Sequence, residues 1–375
     1  MLKTYSYKLY SHKRNKHLHS QIRLAAHIYN HCIALHKRYY RIYGEYLPKY
    51  KLQKHITRLK KADKYLHWNN LGSQAVQDIT DRIDRAYKLF FRNLKHNIRT
   101  APPSFKKSLK YKSFTLKQAG YKLSGDNKIQ INGKTYHYFK SREIEGDIKT
   151  VTIKRDTLGD IYVFIVCETQ QPQIMARAGE MVGYDFGLKT FLKSSDGYDI
   201  ESPMFFKQNA ACIAKLNRSL SRKLKGSNNR KKARLDLARA HKRVANMRKD
   251  FHFKLAVNLC AEYTVICIED LNIKAMQRLW GRKISDLSHS QFVNILKAQA
   301  VKYGTAIVDI PRFYPSSKTC SNCGHILSEL PLRVRFWVCP ECRAEHDRDY
   351  NAALNILRAG ASALGRDIVR PASAG

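Results

Sequence analysis

Two cysteine pairs constrain the fold of this chain more than any other feature of its sequence. Cys320 and Cys323 are separated by two residues, as are Cys339 and Cys342, and fifteen residues lie between the pairs. Each pair can place two thiolates on one side of a tight turn. Two such turns complete the tetrahedron that zinc prefers, with Zn–S distances near ~2.3 Å. The spacing therefore predicts a four-cysteine zinc ribbon.

A site made of four cysteines leaves no open coordination position, so this zinc is expected to be structural and not catalytic. His325 and His346 lie close to the pairs in sequence and are alternative ligands. The other five cysteines are scattered among apolar neighbours and are predicted to be core residues: Cys32, Cys167, Cys212, Cys260 and Cys267.

The charge of the chain indicates a polyanionic partner. Lys and Arg total 69 against 30 Asp and Glu, which gives a net charge of +39 over 375 residues. Such a balance favours nucleic acid, because each neutralised phosphate releases condensed counterions. A ribosomal-type or RNA-coating protein is the simplest class that fits. The 22 Tyr and 15 Phe argue against a disordered chain, since they can fill hydrophobic cores.

The sequence contains no run of about 18 apolar residues, so the chain is not expected to associate with a membrane. Its first residues, "MLKTYSYKLYSHKRNKH", lack the apolar segment of a secretory signal. A cytoplasmic location is the resulting expectation.

The first half of the chain has the pattern of a β module interrupted by helices. Residues 2–10 alternate like a strand, whereas 16–98 follow helical spacing with basic and aromatic residues interleaved. Paired prolines at 102–103 end the helical block, and 111–169 have the pattern of strands and hairpins. One helix carries an apolar stripe at Val76, Ile79, Ile83, Tyr87 and Phe90. Residues 169–180 are predicted to be a linker.

The second half has the pattern of an α/β domain. A short apolar strand ends at Asp185, and very basic helices follow over 207–262. A second buried strand covers 263–270, and a helix over 288–304 leads to a third strand at 305–310. Strand, helix and strand at this spacing predict parallel pairing.

Three acids stand where they can hold divalent metal. Asp185 and Glu269 end two apolar strands, and Asp349 opens the helix "YNAALNIL". If the strands are parallel neighbours, both carboxylates emerge at one sheet edge, and Asp349 can lie across it. Two Mg²⁺ ions clamped by such carboxylates shield the attacking and leaving oxygens of a phosphodiester during hydrolysis.

Other acids compete for these roles. Asp347 suits a helix N-cap. Asp270 can replace Glu269, and Asp309 ends the third strand. Glu269 is preferred to Asp270 because of strand alternation, and Asp309 ranks behind both. An aspartate after an apolar strand, taken alone, is more often a turn former or a cap than a ligand.

With these residues together, the sequence resembles the TnpB family of transposon-encoded RNA-guided nucleases, which are related to the type V CRISPR effectors. "GYDFGLKTFLKSSDG", "VICIEDLNIKAM" and "HDRDYNAALNIL" resemble the three RuvC motifs, and "RFYPSSKTCSNCG" with "CPEC" resembles the zinc ribbon of the family. The resemblance covers most of the chain. It implies that Asp185, Glu269 and Asp349 are the catalytic acids and hold the magnesium ions.

The resemblance also implies a multidomain α+β architecture. The N-terminal half would be a wedge-like β-barrel with a helical recognition insert, followed by an RNase H-like RuvC α/β domain that carries the zinc ribbon. The expected ranges are 1–10 and 101–178 for the barrel, 11–100 for the insert, 179–315 for the first part of RuvC, 316–345 for the target-nucleic-acid-binding ribbon, and 346–375 for the third motif helix and tail.

The implied activity is RNA-guided cleavage of both strands of DNA beside a transposon-adjacent motif, in a prokaryotic cytoplasm and on the nucleoid. The implied partners are a noncoding omega RNA and double-stranded DNA, with one protein on each RNA. Gln74, Gln77 and Thr115 are the expected motif readers. The alternative is an RNA-guided DNA binder without cleavage, but such relatives usually lose one acid. A third alternative, a transposase that itself joins strands, lacks support in the sequence.

Overall fold

The computed structural model describes residues 1–365, apart from 14, 126, 171–179, 189, 272–277, 279–280 and 282–284. The predicted linker and the end of the second RuvC-like motif therefore lie largely outside the described residues. The chain divides into two compact units, Met1–Gln171 and Pro172–Gly375. Within the described residues, no helix is long and apolar enough to cross a membrane.

The first unit contains a four-stranded antiparallel sheet with the order β1-β7-β6-β2. Its strands are β1 (Leu2–Lys8), β2 (Ser113–Leu116), β6 (Asp147–Arg155) and β7 (Ile161–Glu168). Leu2 pairs with Glu168 and Lys8 with Tyr162, so the strand at the start of the chain joins strands that follow the helices. Alternation along β7 buries Ile161, Val163, Ile165 and Cys167.

A second sheet of the same unit contains β3 (Tyr121–Ser124), β4 (Lys128–Ile131) and β5 (Lys134–His137). One bridge between Leu9 and Tyr138 connects it to the end of β1. The pairings among the described strands thus form two linked sheets. Closure into the expected barrel stays a prediction.

Helices α1 (Asn15–Tyr43), α2 (Lys49–Leu59) and α3 (Ser73–Lys95) form the helical part of this unit, with a 3-10 segment at Asp63–Asn70. The apolar stripe predicted on α3 is confirmed. Val76, Ile79, Ile83 and Tyr87 are buried, and Phe90 packs partly buried against the same core. The period of 3.6 residues places these side chains on one face, which covers the sheet.

The second unit is built on a five-stranded sheet with the order β10-β9-β8-β11-β12. Strands β8, β11 and β12 are parallel to one another. Strand β9 pairs antiparallel with β8, and β10 pairs antiparallel with β9. The strands are β8 (Met181–Phe186), β9 (Thr190–Ser194), β10 (Ile200–Glu201), β11 (Val265–Glu269) and β12 (Ala306–Ile310). The parallel pairing predicted from the sequence is confirmed.

Helices cover both faces of this sheet. Those that pack on it are α5 (Asn228–Glu262), α6 (His289–Tyr303) and α7 (Arg348–Ala363), whereas α4 (Phe205–Ser221) packs against α5. Val182 and Ile266 pack with residues of α5 and α6 on one face, whereas Cys267 packs with Ile356 of α7 on the other. Cys212, expected in the core, is exposed, because only one residue of the α4 helix is buried.

Helix α7 lies close against β8 because Gly183 has no side chain. A Cβ at this position would meet the backbone carbonyl of Ala353 and the backbone amide of Leu357 at less than contact distance. Backbone atoms cannot rotate away as a flexible side chain can. The glycine therefore sets how near the helix comes to the strand that carries Asp185.

Gly183→Ala is expected to destabilise the protein by roughly 3 kcal/mol, as overpacking of a tight core does. The measurement is the free energy of unfolding from urea titration. Gly281→Ala is the matched control, because a Cβ there meets nothing within 4 Å. Equal stability of the two variants would contradict this packing.

Candidate metal centres and nuclease site

The four cysteines predicted to bind zinc converge. Their sulfur atoms all lie within 4.8 Å of one another, and Sγ–Sγ distances are 3.6 Å for Cys320–Cys342 and for Cys323–Cys339. Tetrahedral zinc with Zn–S bonds near ~2.3 Å needs sulfur separations of about 3.8 Å. The cluster can therefore hold a zinc ion, and its soft sulfur donors fit that metal.

The two histidines considered as alternative ligands lie beside the cluster. His346 Nε2 is 3.0 Å from Cys320 Sγ, and its ring packs on Trp337 with 4.5 Å between centroids. Such a contact supports a thiolate ligand and orients it. His325 Nδ1 lies 3.8 Å from Glu341 Oε1. Strands β13 (Phe336–Val338) and β14 (Glu345–Asp347) form the hairpin of the ribbon.

Two buried asparagines of α7 hold the ribbon against this helix. Asn351 accepts the Ser321 backbone N–H at 2.9 Å and donates to the Thr319 carbonyl at 2.8 Å. Asn355 donates to the Ser316 carbonyl, also at 2.8 Å. The first cysteine turn is therefore tied to the helix that carries Asp349. Sequence reasoning missed both residues, although two amides four positions apart on an apolar helix were a usable signal.

Asp185 and Glu269 lie side by side on neighbouring strands. The parallel register pairs Tyr184 with Ile268, so the next residues of β8 and β11 are adjacent. Alternation points both carboxylates to the face of the sheet that α7 covers, the face of Gly183 and Cys267. The parallel arrangement proposed from the sequence thus brings two of the three acids together.

Asp349 occupies the first turn of α7, which lies across this face of the sheet. Asp347 caps the same helix, because its Oδ1 accepts the Tyr350 backbone N–H at 2.8 Å. The capping role proposed for Asp347 is confirmed. Of the two acids at the start of α7, Asp349 is the one left for another role.

The two strand acids, Asp185 and Glu269, have raised pKa values. Burial raises the pKa of Asp185 to about 8, and the negative charges of Glu269 and Asp349 add to the effect. Burial also raises the pKa of Glu269 to about 7, with a contribution from Asp270. Acids that repel one another in a poorly solvated position are the groups that a divalent cation stabilises.

Arg335 of the ribbon pairs with Asp349. Its Nη1 lies 3.1 and 3.2 Å from the two carboxylate oxygens. Within the described part of the chain, the four cysteines are the one group of three or more potential metal-ligand side chains whose ligand atoms converge. The three acids do not meet that criterion: Asp185 and Glu269 end neighbouring strands, whereas the carboxylate of Asp349 is paired with the Arg335 guanidinium.

The competing acids have other partners. Asp270 pairs with Arg312 at 2.7 Å. Asp309 pairs with Lys297 at 2.6 Å, and the register places it opposite Ile268, on the other face of the sheet from Glu269. The geometry therefore favours Glu269 over Asp270 and Asp309 as the second candidate metal ligand.

A cavity of about 500 Å³ beside Glu269 was not anticipated. His289, Ser290, Asn294 and Lys297 of α6 contribute to its wall. His289 is 1% exposed, and neither ring nitrogen has a hydrogen-bond partner. Polar residues at steps of three and four along α6 were the available signal in the sequence.

The three expected motif readers lie in the first unit. Gln74 and Gln77 occupy the first turns of α3, and Gln77 is exposed. The hydroxyl of Thr115 accepts from Arg82 at 2.9 Å and lies 2.9 Å from the Thr152 hydroxyl. Their part in motif reading stays a prediction.

Two family models match this chain. One, described as "Cas12f1-like, TNB domain", matches residues 289–356, which include the ribbon and the first part of α7. The other, described as "Probable transposase", matches residues 164–279, which include Asp185 and Glu269. The two matches together contain all three acids and the four cysteines.

Whole proteins are similar as well. The "Putative RNA-guided DNA endonuclease" of Streptomyces pristinaespiralis is 36% identical over 84% of this chain and 79% of its own length. "Putative RNA-guided DNA endonuclease InsQ" of Escherichia coli K12 is 29% identical over 90% of this chain and 87% of its own length. The "TnpB-like protein L79" of Acanthamoeba polyphaga mimivirus is 31% identical over 56% of this chain and 43% of its own length. The chain therefore belongs to the TnpB-like family, which includes proteins named as putative RNA-guided DNA endonucleases.

Proposed function

We propose that this chain is an RNA-guided endonuclease that hydrolyses DNA phosphodiesters with divalent metal held by Asp185, Glu269 and Asp349. One observation carries the proposal. The parallel register of β8 and β11 places two acids on the face that α7 covers, and the first turn of α7 carries the third. The family supports a nuclease.

The three carboxylates fit magnesium, which takes hard oxygen ligands. Bound there, Mg²⁺ would supply charge shielding at the phosphate and a more acidic water. The contribution of the chain is to hold the acids on rigid elements: Asp185 and Glu269 on paired strands, and Asp349 on a helix tied to the ribbon. Partial burial of the two strand acids lowers the dielectric around them and strengthens their attraction for a cation.

The finer architecture is part of the proposal. The five-stranded order with β8 at its centre and α7 across the acid-bearing face supports an RNase H-like RuvC domain. The two linked sheets of the first unit support a wedge that holds the RNA, with α1 to α3 as the recognition insert. Zinc in the cysteine cluster would brace the ribbon.

The proposed partners are a guide RNA and double-stranded DNA, with one protein on each RNA. Helices α4 and α5 carry many exposed Lys and Arg residues between 215 and 249, and the chain as a whole is strongly basic. A positive surface of this kind can follow the backbone of an RNA–DNA duplex without reading its sequence. Gln74, Gln77 and Thr115 are the proposed readers of the adjacent motif.

The test is co-expression of the chain with the DNA that flanks its gene. We expect a specific RNA to purify with the protein, and its variable 3′ end to direct cutting of a matched plasmid in Mg²⁺. Chelation of Mg²⁺ should stop the cutting. Specific RNA and target binding without any cleavage would instead favour an RNA-guided DNA binder.

Arg335→Ala is expected to raise the affinity of the free protein for Mn²⁺ between about two- and fivefold. Its ion pair with Asp349 is exposed and worth up to about 1 kcal/mol, and the cation must displace it. Titration calorimetry with Mn²⁺ measures the change. Arg333→Ala, two residues away and exposed, is the control. Unchanged affinity for Arg335→Ala would remove Asp349 from the proposed ligand set.

A further inference from the structure

The first unit contains an aromatic cavity that no part of the proposed reaction uses. It has a volume of about 720 Å³ and lies where the C-terminal turns of α1 and α3 come together. Its aromatic wall residues are Tyr40, Tyr46, Tyr87, Phe90 and Phe91. We call this space, with those five residues, the aromatic cavity.

Part of this wall faces solvent. Tyr40 is 61% exposed and Phe91 38% exposed, and Leu94 beside them is 48% exposed. Large apolar side chains left open to water around a concave site indicate a binding surface. The residues deeper in the wall, such as Tyr87, belong to the buried core, so the cavity has a rigid floor.

A buried imidazole in the wall has one ring nitrogen without a hydrogen-bond partner. His36 is 4% exposed, lines the aromatic cavity, and has no partner at Nε2. Its ring stacks on Tyr87 with 4.8 Å between centroids. Burial lowers the pKa of His36 to about 4, so the ring is neutral near pH 7. An unsatisfied buried nitrogen in an apolar wall is costly unless a ligand satisfies it.

Two cations stand at the rim. Lys37 and Arg41 are one helical turn apart on α1 and both line the cavity, together with the single acid Glu45. Lys37 Nζ lies 4.7 Å from the centroid of the Phe105 ring, which holds the ammonium at the edge. An apolar interior with a net positive rim matches a ligand that has a flat ring and an anionic group.

We propose that the aromatic cavity binds one unpaired nucleobase of the guide RNA, with its phosphate at Lys37 and Arg41. Bases outside a helix stack on aromatic side chains, and backbone phosphates pair with Lys and Arg. The cavity has the size of a small-molecule site, which suits one nucleotide and is far too small for a duplex. His36 Nε2 supplies one contact to the edge of the base. The proposal rests on the proposed function, because it requires that RNA be bound.

An apolar protein segment is the competing occupant. Such a segment would cover the exposed rings of Tyr40 and Phe91, but it would offer no anion to the two cations and no polar group to the imidazole nitrogen. A nucleotide satisfies all three kinds of group. The charge of the rim therefore favours the nucleotide.

Ultraviolet cross-linking of the protein with its co-purified RNA, followed by mass spectrometry of the peptides, tests the proposal. We expect nucleotide adducts on the peptides that contain Tyr40 or Phe91. The double variant Tyr40→Ala and Phe91→Ala should lose these adducts and bind the RNA about five- to a hundredfold more weakly, the range expected for lost base stacking. Both side chains are exposed, so the fold should survive, and thermal unfolding checks this.

Tyr50→Ala is the matched control, because Tyr50 is 72% exposed and has a lysine over its ring but lies outside the cavity. RNA that co-purifies and guides cleavage, with no adducts in the cavity and equal affinity for the double variant, would overturn the nucleobase site and leave the proposed function intact. Loss of self-association in the double variant, with RNA binding unchanged, would assign the cavity to protein contact instead. Failure to recover any RNA would overturn both proposals.

Discussion

Asp185→Asn is expected to abolish DNA cleavage and also to stabilise the metal-free protein. Loss of one charged ligand should slow cutting by roughly 10³-fold or more, because the proposed metal site would no longer form. The gain in stability follows from the pKa of Asp185, which burial and two neighbouring acids raise to about 8. An amide of the same shape carries no charge, so it avoids that repulsion.

The pH dependence has a definite sign. Between about pH 4 and pH 8 the unfolded chain has an ionised Asp185, whereas the folded metal-free protein keeps it protonated. The native state binds the extra proton, so the stability of the wild type falls as pH rises through this window. The advantage of Asp185→Asn should therefore be absent near pH 4 and greatest near pH 8. We expect it to reach about 2 kcal/mol there, since partial exposure screens the charges.

Urea unfolding at several pH values in a chelator, together with plasmid cleavage in Mg²⁺, measures both effects. Asp309→Asn is the control, because Asp309 is ion-paired on the other face of the same sheet. A variant that still cuts DNA, or one that is less stable than the wild type at pH 8, would contradict the placement of Asp185 among the acids. RNA binding should be the same in all three proteins.

Cys339→Ser is expected to remove zinc and unfold the ribbon. Apart from the ligands, Trp337 is the one buried hydrophobic residue of the ribbon cluster among the described residues. So small a core cannot hold the segment without metal. Structural zinc contributes on the order of 10 kcal/mol of binding free energy in small domains. Unfolding of the ribbon should also displace Asp349, because the ribbon is tied to its helix α7 through Asn351 and Asn355.

Mass spectrometry should find about one zinc per wild-type chain and none in Cys339→Ser. Limited proteolysis should cut the variant between residues 316 and 345, and its DNA cleavage should be lost. Cys212→Ser, at an exposed cysteine of α4, should keep its zinc and its activity. A zinc-free variant with an intact, protease-resistant ribbon would show that the cysteines do not depend on metal.

Local patterns in the sequence predicted the elements that carry the site. The cysteine spacing predicted the ribbon cluster, and the apolar strands that end in acid predicted β8 and β11 as parallel neighbours. The sequence can predict these features because strand alternation and a two-residue turn are local properties of the backbone. The same reasoning could not find His36 or the aromatic cavity, because its walls come from segments about fifty residues apart.

By itself, the sequence of this chain determined the cysteine cluster, the strand ends at Asp185 and Glu269, and the N-cap at Asp347. Only the tertiary structure decided that Asp309 faces away from Glu269, that Arg335 pairs with Asp349, and that Asn351 ties the ribbon to α7. The reason is physical. Spacing within one segment sets which side chains share a face, but register between distant strands and the close approach of α7 at Gly183 depend on how those faces pack together.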